Sequence, residues 1–155
     1  MERGGIQAVR GYRSAVCRGR HRALAVNRYC LDTSAYSHFR RGEPSVVAHV
    51  DRAQWIGVPS VVLGELWAGF LSGTRADENE AQLGEFLAHP VVEVLPTDAS
   101  VARIYGEIVT ELRKRGRPLP TNDLWIAATA VRAGAVVLTF DTQFEAITRV
   151  GSLIL

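Results

Sequence analysis

The stretch Ala135-Val136-Val137-Leu138-Thr139-Phe140-Asp141 decides the fold. Its centre, Val136-Val137-Leu138, is apolar at every position. A strand with one wet face alternates polar and apolar residues. A strand covered on both faces does not, and such runs mark parallel sheets layered between helices. Further short strands read outward from it at 28–31, 56–58, 91–95 and 152–155. Helical patterns lie between them. The first opens at Asp32-Thr33-Ser34, and the second spans 43–54 with Pro44 in its first turn. A third runs from Ser60 to about Leu71 and is closed by Gly73, and an acidic amphipathic one covers 75–88. The fifth covers 98–115 and is stopped by Gly116 and Pro118, and an alanine-rich one runs from Asn122 to Ala133. This alternation predicts an α/β fold: a three-layer α/β/α sandwich around a central, mostly parallel sheet.

The 155 residues suit one domain, and 47% apolar content excludes a disordered chain. No apolar run is long enough to span a membrane, so no membrane association is expected. Cys17 and Cys30 form no CxxC pair, which argues against a disulfide scaffold, a zinc ribbon or an iron–sulfur site. A reducing, cytoplasmic setting is expected. The net charge of +2 hides an asymmetry. Residues 1–28 carry seven arginines and one acid, while the remainder carries 11 basic and 15 acidic residues. Residues 1–26 show no period and no apolar signal segment, and are expected to be a basic, unstructured N-terminal extension. Arginine outnumbers lysine 17 to 1, which suggests a GC-rich coding sequence and makes a start-site artefact one origin of the extension. A nucleic-acid-binding tail and a transit peptide are the others. Residues 27–155 are expected to form the domain.

In parallel α/β folds chemistry gathers at the carboxyl ends of the strands. Asp32 ends the first strand, Asp141 follows the strand 135–140, and Asp123 opens a helix after Pro118-Leu119-Pro120. Glu65 is the only charge in Val61-Val62-Leu63-Gly64-Glu65-Leu66-Trp67-Ala68-Gly69-Phe70. Each has a structural reading. Asp32 and Asp141 suit helix N-caps, Asp123 suits a first turn behind an Asn122 cap, and Glu65 suits a wet stripe or a buried arginine partner. Converging at one sheet end, the four would repel one another without a cation. Oxygen ligands select Mg²⁺ or Mn²⁺. The four histidines lack zinc-site spacing, and the chain has no Walker loop, no GxGxxG and no GxSxG elbow.

Four segments carry a family resemblance. They are Tyr29-Cys30-Leu31-Asp32-Thr33-Ser34-Ala35, the run from Pro59 to Gly69 with Glu65, the run from Pro120 to Ala130 with Asp123, and Val137-Leu138-Thr139-Phe140-Asp141-Thr142-Gln143-Phe144. In order and spacing they resemble PIN-domain ribonucleases, most closely the VapC-type toxins of bacterial toxin–antitoxin pairs, over about residues 28–155. The resemblance implies a PIN-like domain with an acidic pocket for Mg²⁺ or Mn²⁺. Asp32, Asp123 and Asp141 would hold the metal, and Glu65 would complete the catalytic set and its metal pocket. Thr33, Ser34, Asn122 and Thr139 would support the carboxylates or face substrate. Gln143 departs from the histidine that many relatives carry. The resemblance also implies an RNA substrate cut endonucleolytically by in-line attack of water, a VapB-type antitoxin, and a homodimer.

An acidic pocket repels RNA, so cations must stand nearby. Arg40 and Arg41 after the first helix, and Arg113, Lys114, Arg115 and Arg117 before the Asp123 turn, are the candidates. As solvated helix ends they would be ordinary. For Trp67 and Trp125, core packing outweighs base stacking. Three other readings compete. A PIN nuclease of RNA maturation or decay would lack an antitoxin, and a non-catalytic PIN domain would only bind RNA or act as a scaffold. A receiver-like signalling domain requires a site lysine, and Lys114 is badly placed for it.

Overall fold

The computed structural model describes residues 27–155, and the expected basic extension, 1–26, lies outside the described residues. The chain runs β1 (Arg28–Leu31), α1 (Thr33–Arg40), α2 (Pro44–Val50), β2 (Trp55–Pro59), α3 (Ser60–Leu71), α4 (Ala76–Leu87), β3 (Val92–Leu95) and α5 (Ala99–Lys114). It continues with α6 (Thr121–Ala133), β4 (Val136–Thr139), a 3₁₀ helix (Thr142–Ala146) and β5 (Ser152–Ile154). The strands align in the order β3-β2-β1-β4-β5. Every pairing is parallel, with Tyr29 opposite Ile56 on one side of β1 and Cys30 opposite Val137 on the other.

Strand order and handedness together set the layers. Parallel crossovers are right-handed, so connections running in one direction across the sheet share a face. The β1-to-β2 and β2-to-β3 connections place α1 to α4 on one side. The return from β3 to β4 places α5 and α6 on the other, giving the three-layer sandwich. Cys30, Leu31, Val137 and Leu138 in the central strands are completely buried. Among the described residues no helix is long and apolar enough to cross a membrane.

Three boundaries differ from the sequence reading. The helix expected over 43–54 ends at Val50, because the backbone N–H groups of Gln54 and Trp55 donate to Asn27 O and draw the chain into the sheet. Gly73 does not close α3. Ser72 does, with its backbone N–H on the Ala68 and Phe70 carbonyls and its hydroxyl donating to Ala68 O at 2.7 Å. Asn122 does not cap α6, whose N-cap position is Pro120. Gly134, at φ +61°, takes the left-handed position that ends α6.

Gly57 illustrates how tightly the sheet is covered. A Cβ there would stand 2.5 Å from both the Trp55 ring and Leu95 Cδ1. The indole therefore lies across the glycine. Arg28 sits over the ring at 4.2 Å, and the indole N–H donates to Glu93 at 2.8 Å. Gly57→Ala is expected to lower stability by about 1–3 kcal/mol through overpacking. The expected readout is a lower urea midpoint at unchanged slope. An unchanged midpoint would contradict this seat for the indole.

Candidate active site

The sheet order fixes where a site can form. Connections leave β1 toward β2 on one side, and the chain returns to β4 on the other. The crevice outside the carboxyl ends of β1 and β4 is thus the topological switch point, where α/β proteins bind ligands. Asp32 directly follows β1, and Phe140-Asp141 directly follows β4. The Asp32 backbone N–H donates to Leu138 O at 3.3 Å, tying the two strand ends together.

Asp32 is only 5% exposed. One of its oxygens accepts from the Ala35 N–H at 2.7 Å, which caps α1, and the other accepts from the Thr139 hydroxyl at 2.6 Å. The Ser34 hydroxyl reaches both at 2.9 Å. Thr139 Oγ1 in turn accepts from the Asp141 N–H at 2.9 Å, and Ser34 Oγ accepts from the Phe140 N–H at 3.1 Å. Asp141 Oδ1 accepts from the Gln143 N–H at 2.8 Å and caps the 3₁₀ helix. The capping role of Asp32 and Asp141 and their place at the crevice therefore coexist.

Among the described residues Glu65 has no arginine partner, and it does not lie on a purely wet stripe. It projects from α3, half-buried, and accepts from Thr33 Oγ1 and, at 2.7 Å, from Asn122 Nδ2. This is why Asn122 is not a cap: its amide bridges α6 to α3. Asp123, half-buried in the first turn of α6, accepts no side-chain hydrogen bond among the described residues. Thr33 and Asn122 thus hold Glu65, while Ser34 and Thr139 hold Asp32.

The four carboxylates sense one another. Burial, followed by the charges of Asp141, Glu65 and Asp32, pushes Asp123 up to about 6. Burial raises Asp32, and the neighbouring charge of Asp141 adds to the rise. The hydrogen bonds from Thr139, Ala35 and Ser34 oppose that rise. Among the described residues no three Asp, Glu, His or Cys side chains are arranged as a ready-made ion cage. The all-oxygen donors and their mutual repulsion fit Mg²⁺ or Mn²⁺.

The other residues singled out from the sequence differ in exposure and in partners. Arg40 is half-buried beside Tyr36, and both Arg40 and Arg41 stand a helix length, about 12 Å, from Asp32. Arg115 is paired with Glu111 at 2.5 Å, whereas Arg113 and Lys114 are exposed and make no ion pair among the described residues. Trp125 stacks on Tyr105 at 3.9 Å, and Trp67 meets Phe70 edge-on. Sequence reasoning missed His38, whose ring stacks on Phe140 at 4.0 Å while its Nδ1–H donates to Ser34 O at 2.8 Å. The only signal was an aromatic placed between Thr139 and Asp141.

The PIN domain family model matches residues 29–150. Ribonuclease VapC4 of Mycobacterium tuberculosis is 33% identical over 125 residues, covering 79% of this chain and 93% of the relative. The structure of VapBC2 from Rickettsia felis, bound to a DNA fragment from its promoter, superposes with a TM-score of 0.73 at 26% identity. That match covers 81% of this chain and 97% of the other. VapBC-5 from M. tuberculosis, a member of the VapBC family of toxin–antitoxin systems, superposes with a TM-score of 0.62 at 27% identity over 83% and 99%. With the carboxylates at the switch point and the match spanning nearly all the described residues, the chain belongs to the PIN-domain family and, within it, to the VapC ribonucleases.

Proposed function

We infer that this protein is a divalent-metal-dependent endoribonuclease acting in the cytoplasm as the toxin of a toxin–antitoxin pair, where cleavage inhibits translation or growth. The observation that carries the reading is electrostatic. A half-buried Asp123 is pushed up to about 6 by burial and three neighbouring carboxylates, at the end of a parallel sheet where no cation among the described residues is paired to them. Asp32, Asp123 and Asp141, with Glu65 beside them, would hold Mg²⁺ or Mn²⁺. That ion would screen the phosphate charge and acidify water.

The residues divide the remaining work. Asp32, locked by Ser34, Ala35 and Thr139, fixes the depth at which phosphate enters. Glu65 has one donor on each oxygen, so lone pairs remain to orient the attacking water. The water oxygen bonds to phosphorus, the P–O3′ bond breaks, and the products are a 5′-phosphate and a 3′-hydroxyl. Exposed Arg113 and Lys114 offset the repulsion between RNA and the acidic pocket. A VapB-type antitoxin would silence the enzyme, a partner supported by the VapBC assemblies among its structural relatives. A homodimer completes the reading.

Purified protein freed of partner is expected to cut total RNA into discrete products in Mg²⁺ or Mn²⁺ and not in EDTA. Asp141→Asn should abolish the products, and cutting by that variant at the wild-type rate would identify a contaminant. Thr139→Val removes one donor from Asp32 and should cost about 10–100-fold in metal affinity or activity. Isothermal titration with Mn²⁺ and initial rates would read both.

Convergence also has a stability signature. A carboxylate raised in the folded state favours folding most below its unfolded value, 3.8, and that advantage is lost as pH rises through about 6. For a half-exposed group, solvent screening leaves about 1 kcal/mol. In EDTA, the Tm of Asp123→Asn relative to wild type should therefore rise by about 2–4 °C between pH 4 and pH 7. A difference flat with pH would mean that neither burial nor the neighbouring acids raises Asp123.

A further inference from the structure

A cavity lies between the segments that lead into Asp123 and out of Asp141. Its volume is about 580 Å³, within the range of ligand-sized clefts. One wall is the α5–α6 turn, with Arg117 and Leu119, and the other is the 3₁₀ helix, with Thr142, Gln143 and Glu145. Both walls lead directly into the site, since Leu119 lies four residues before Asp123 and Thr142 follows Asp141.

The lining is chemically divided. Arg117 is exposed and has no ion pair or side-chain hydrogen bond among the described residues. Its neighbours differ: Arg115 is committed to Glu111, and Arg149 to Glu107. The Gln143 backbone N–H is consumed by Asp141, but its side-chain amide is exposed and has no partner among the described residues. Leu119 adds an apolar surface, and Glu145 adds an acceptor and a negative charge. Arg117 suits an anion, and the Gln143 amide suits a flat group with donors and acceptors on its edge. A guanidinium, an apolar face and a free amide in one cleft match a phosphate, a base face and a base edge.

We propose that this cleft holds the RNA nucleotide adjacent to the scissile phosphate. Arg117 binds its phosphate, and the Gln143 amide, with Glu145, selects its base. The assignment rests on the ribonuclease reading and deepens it: Gln143 is a specificity-determining residue and Arg117 a binding one. Neither side chain bonds the carboxylates assigned to the metal, and the Gln143 N–H that caps Asp141 is backbone and survives substitution, so their loss separates binding and sequence choice from chemistry.

The test pairs a cleavage assay with a binding assay, using the full chain and its Arg117→Ala and Gln143→Ala variants. Both side chains are exposed, so folding is retained, as circular dichroism would check. For binding, a fluorescent random-sequence RNA 20-mer is titrated in Ca²⁺ at several salt concentrations. Arg117→Ala should weaken binding about five- to tenfold and reduce the slope of log affinity against log salt by about 0.7, one phosphate's worth. Its KM should rise while kcat stays within about twofold. Gln143→Ala should broaden the base found next to the cut, with discrimination between preferred and disfavoured bases falling about tenfold as mapped product ends. Wild-type affinity, salt slope and cut-site preference in both variants would overturn the proposal. RNA bound with these variant effects, but never cut by the wild type, would overturn the nuclease reading and leave the cleft standing. No RNA binding by the wild type would overturn both.

Discussion

Asp32 is a carboxylate only 5% exposed, and a charge taken out of water costs several kcal/mol unless hydrogen bonds replace its hydration. Everything near the carboxyl ends of β1 and β4 is organised around that replacement. Ser34 and Ala35 come from the first turn of α1, and Thr139 comes from the last position of β4. The charge can stay buried only if α1 begins immediately after β1 and β4 lies beside β1 in register. The pairing of Leu31 with Leu138 provides that register. Slipping β4 by one residue would turn the Thr139 hydroxyl to the other face of the sheet and leave the carboxylate short of a donor.

Thr139 also transmits this constraint outward. Its hydroxyl donates to Asp32 and accepts from the Asp141 backbone, so one oxygen sets the depth of one acid and the position of the next. Phe144, 1% exposed in the 3₁₀ helix, anchors the far side of the same segment. His38 stacks on Phe140 and bonds the Ser34 carbonyl, closing a loop from α1 back to the end of β4. Asp123 and Glu65 arrive from helices on opposite faces of the sheet. Among the described residues, the Asn122–Glu65 hydrogen bond couples those two layers at the site. Burial and, after it, the repulsion of its neighbours lift Asp123, and both are a stability cost of seating an acid there.

Much of this was written in local patterns. The apolar run 136–138 identified a strand buried on both faces, and the caps after Leu31 and Phe140 identified the acids at strand ends. These are short-range signals, carried by residues within a few positions of one another. The role of Asn122 is different in kind. Its position suggested a cap, yet its amide meets a carboxylate 57 residues away, a pairing that depends on how α3 and α6 pack. The His38–Phe140 stack and the early end of α2 at Val50 were hidden for the same reason. In the latter case Asn27 O takes the N–H groups of Gln54 and Trp55, and a tertiary contact overrides helix propensity.

The capping reading and the catalytic reading of Asp32 and Asp141 looked like alternatives in the sequence, and the geometry of the caps leaves room for both. A carboxylate has about four lone-pair sites, and a cap consumes one. Asp141 gives one oxygen to the Gln143 N–H and retains the other. Asp32 serves three donors and keeps roughly one site, while Asp123 accepts no side-chain hydrogen bond among the described residues. The acids therefore form a gradient, from the most anchored at the sheet to the least anchored on α6. In the proposed reaction the same gradient would order their chemistry. The anchored end would define where phosphate oxygen stops, and the unanchored end would carry the charge that draws a cation in. A cap that fixes a carboxylate's direction makes it a better ligand, because the rotamer freedom it would lose on binding has already been lost on folding.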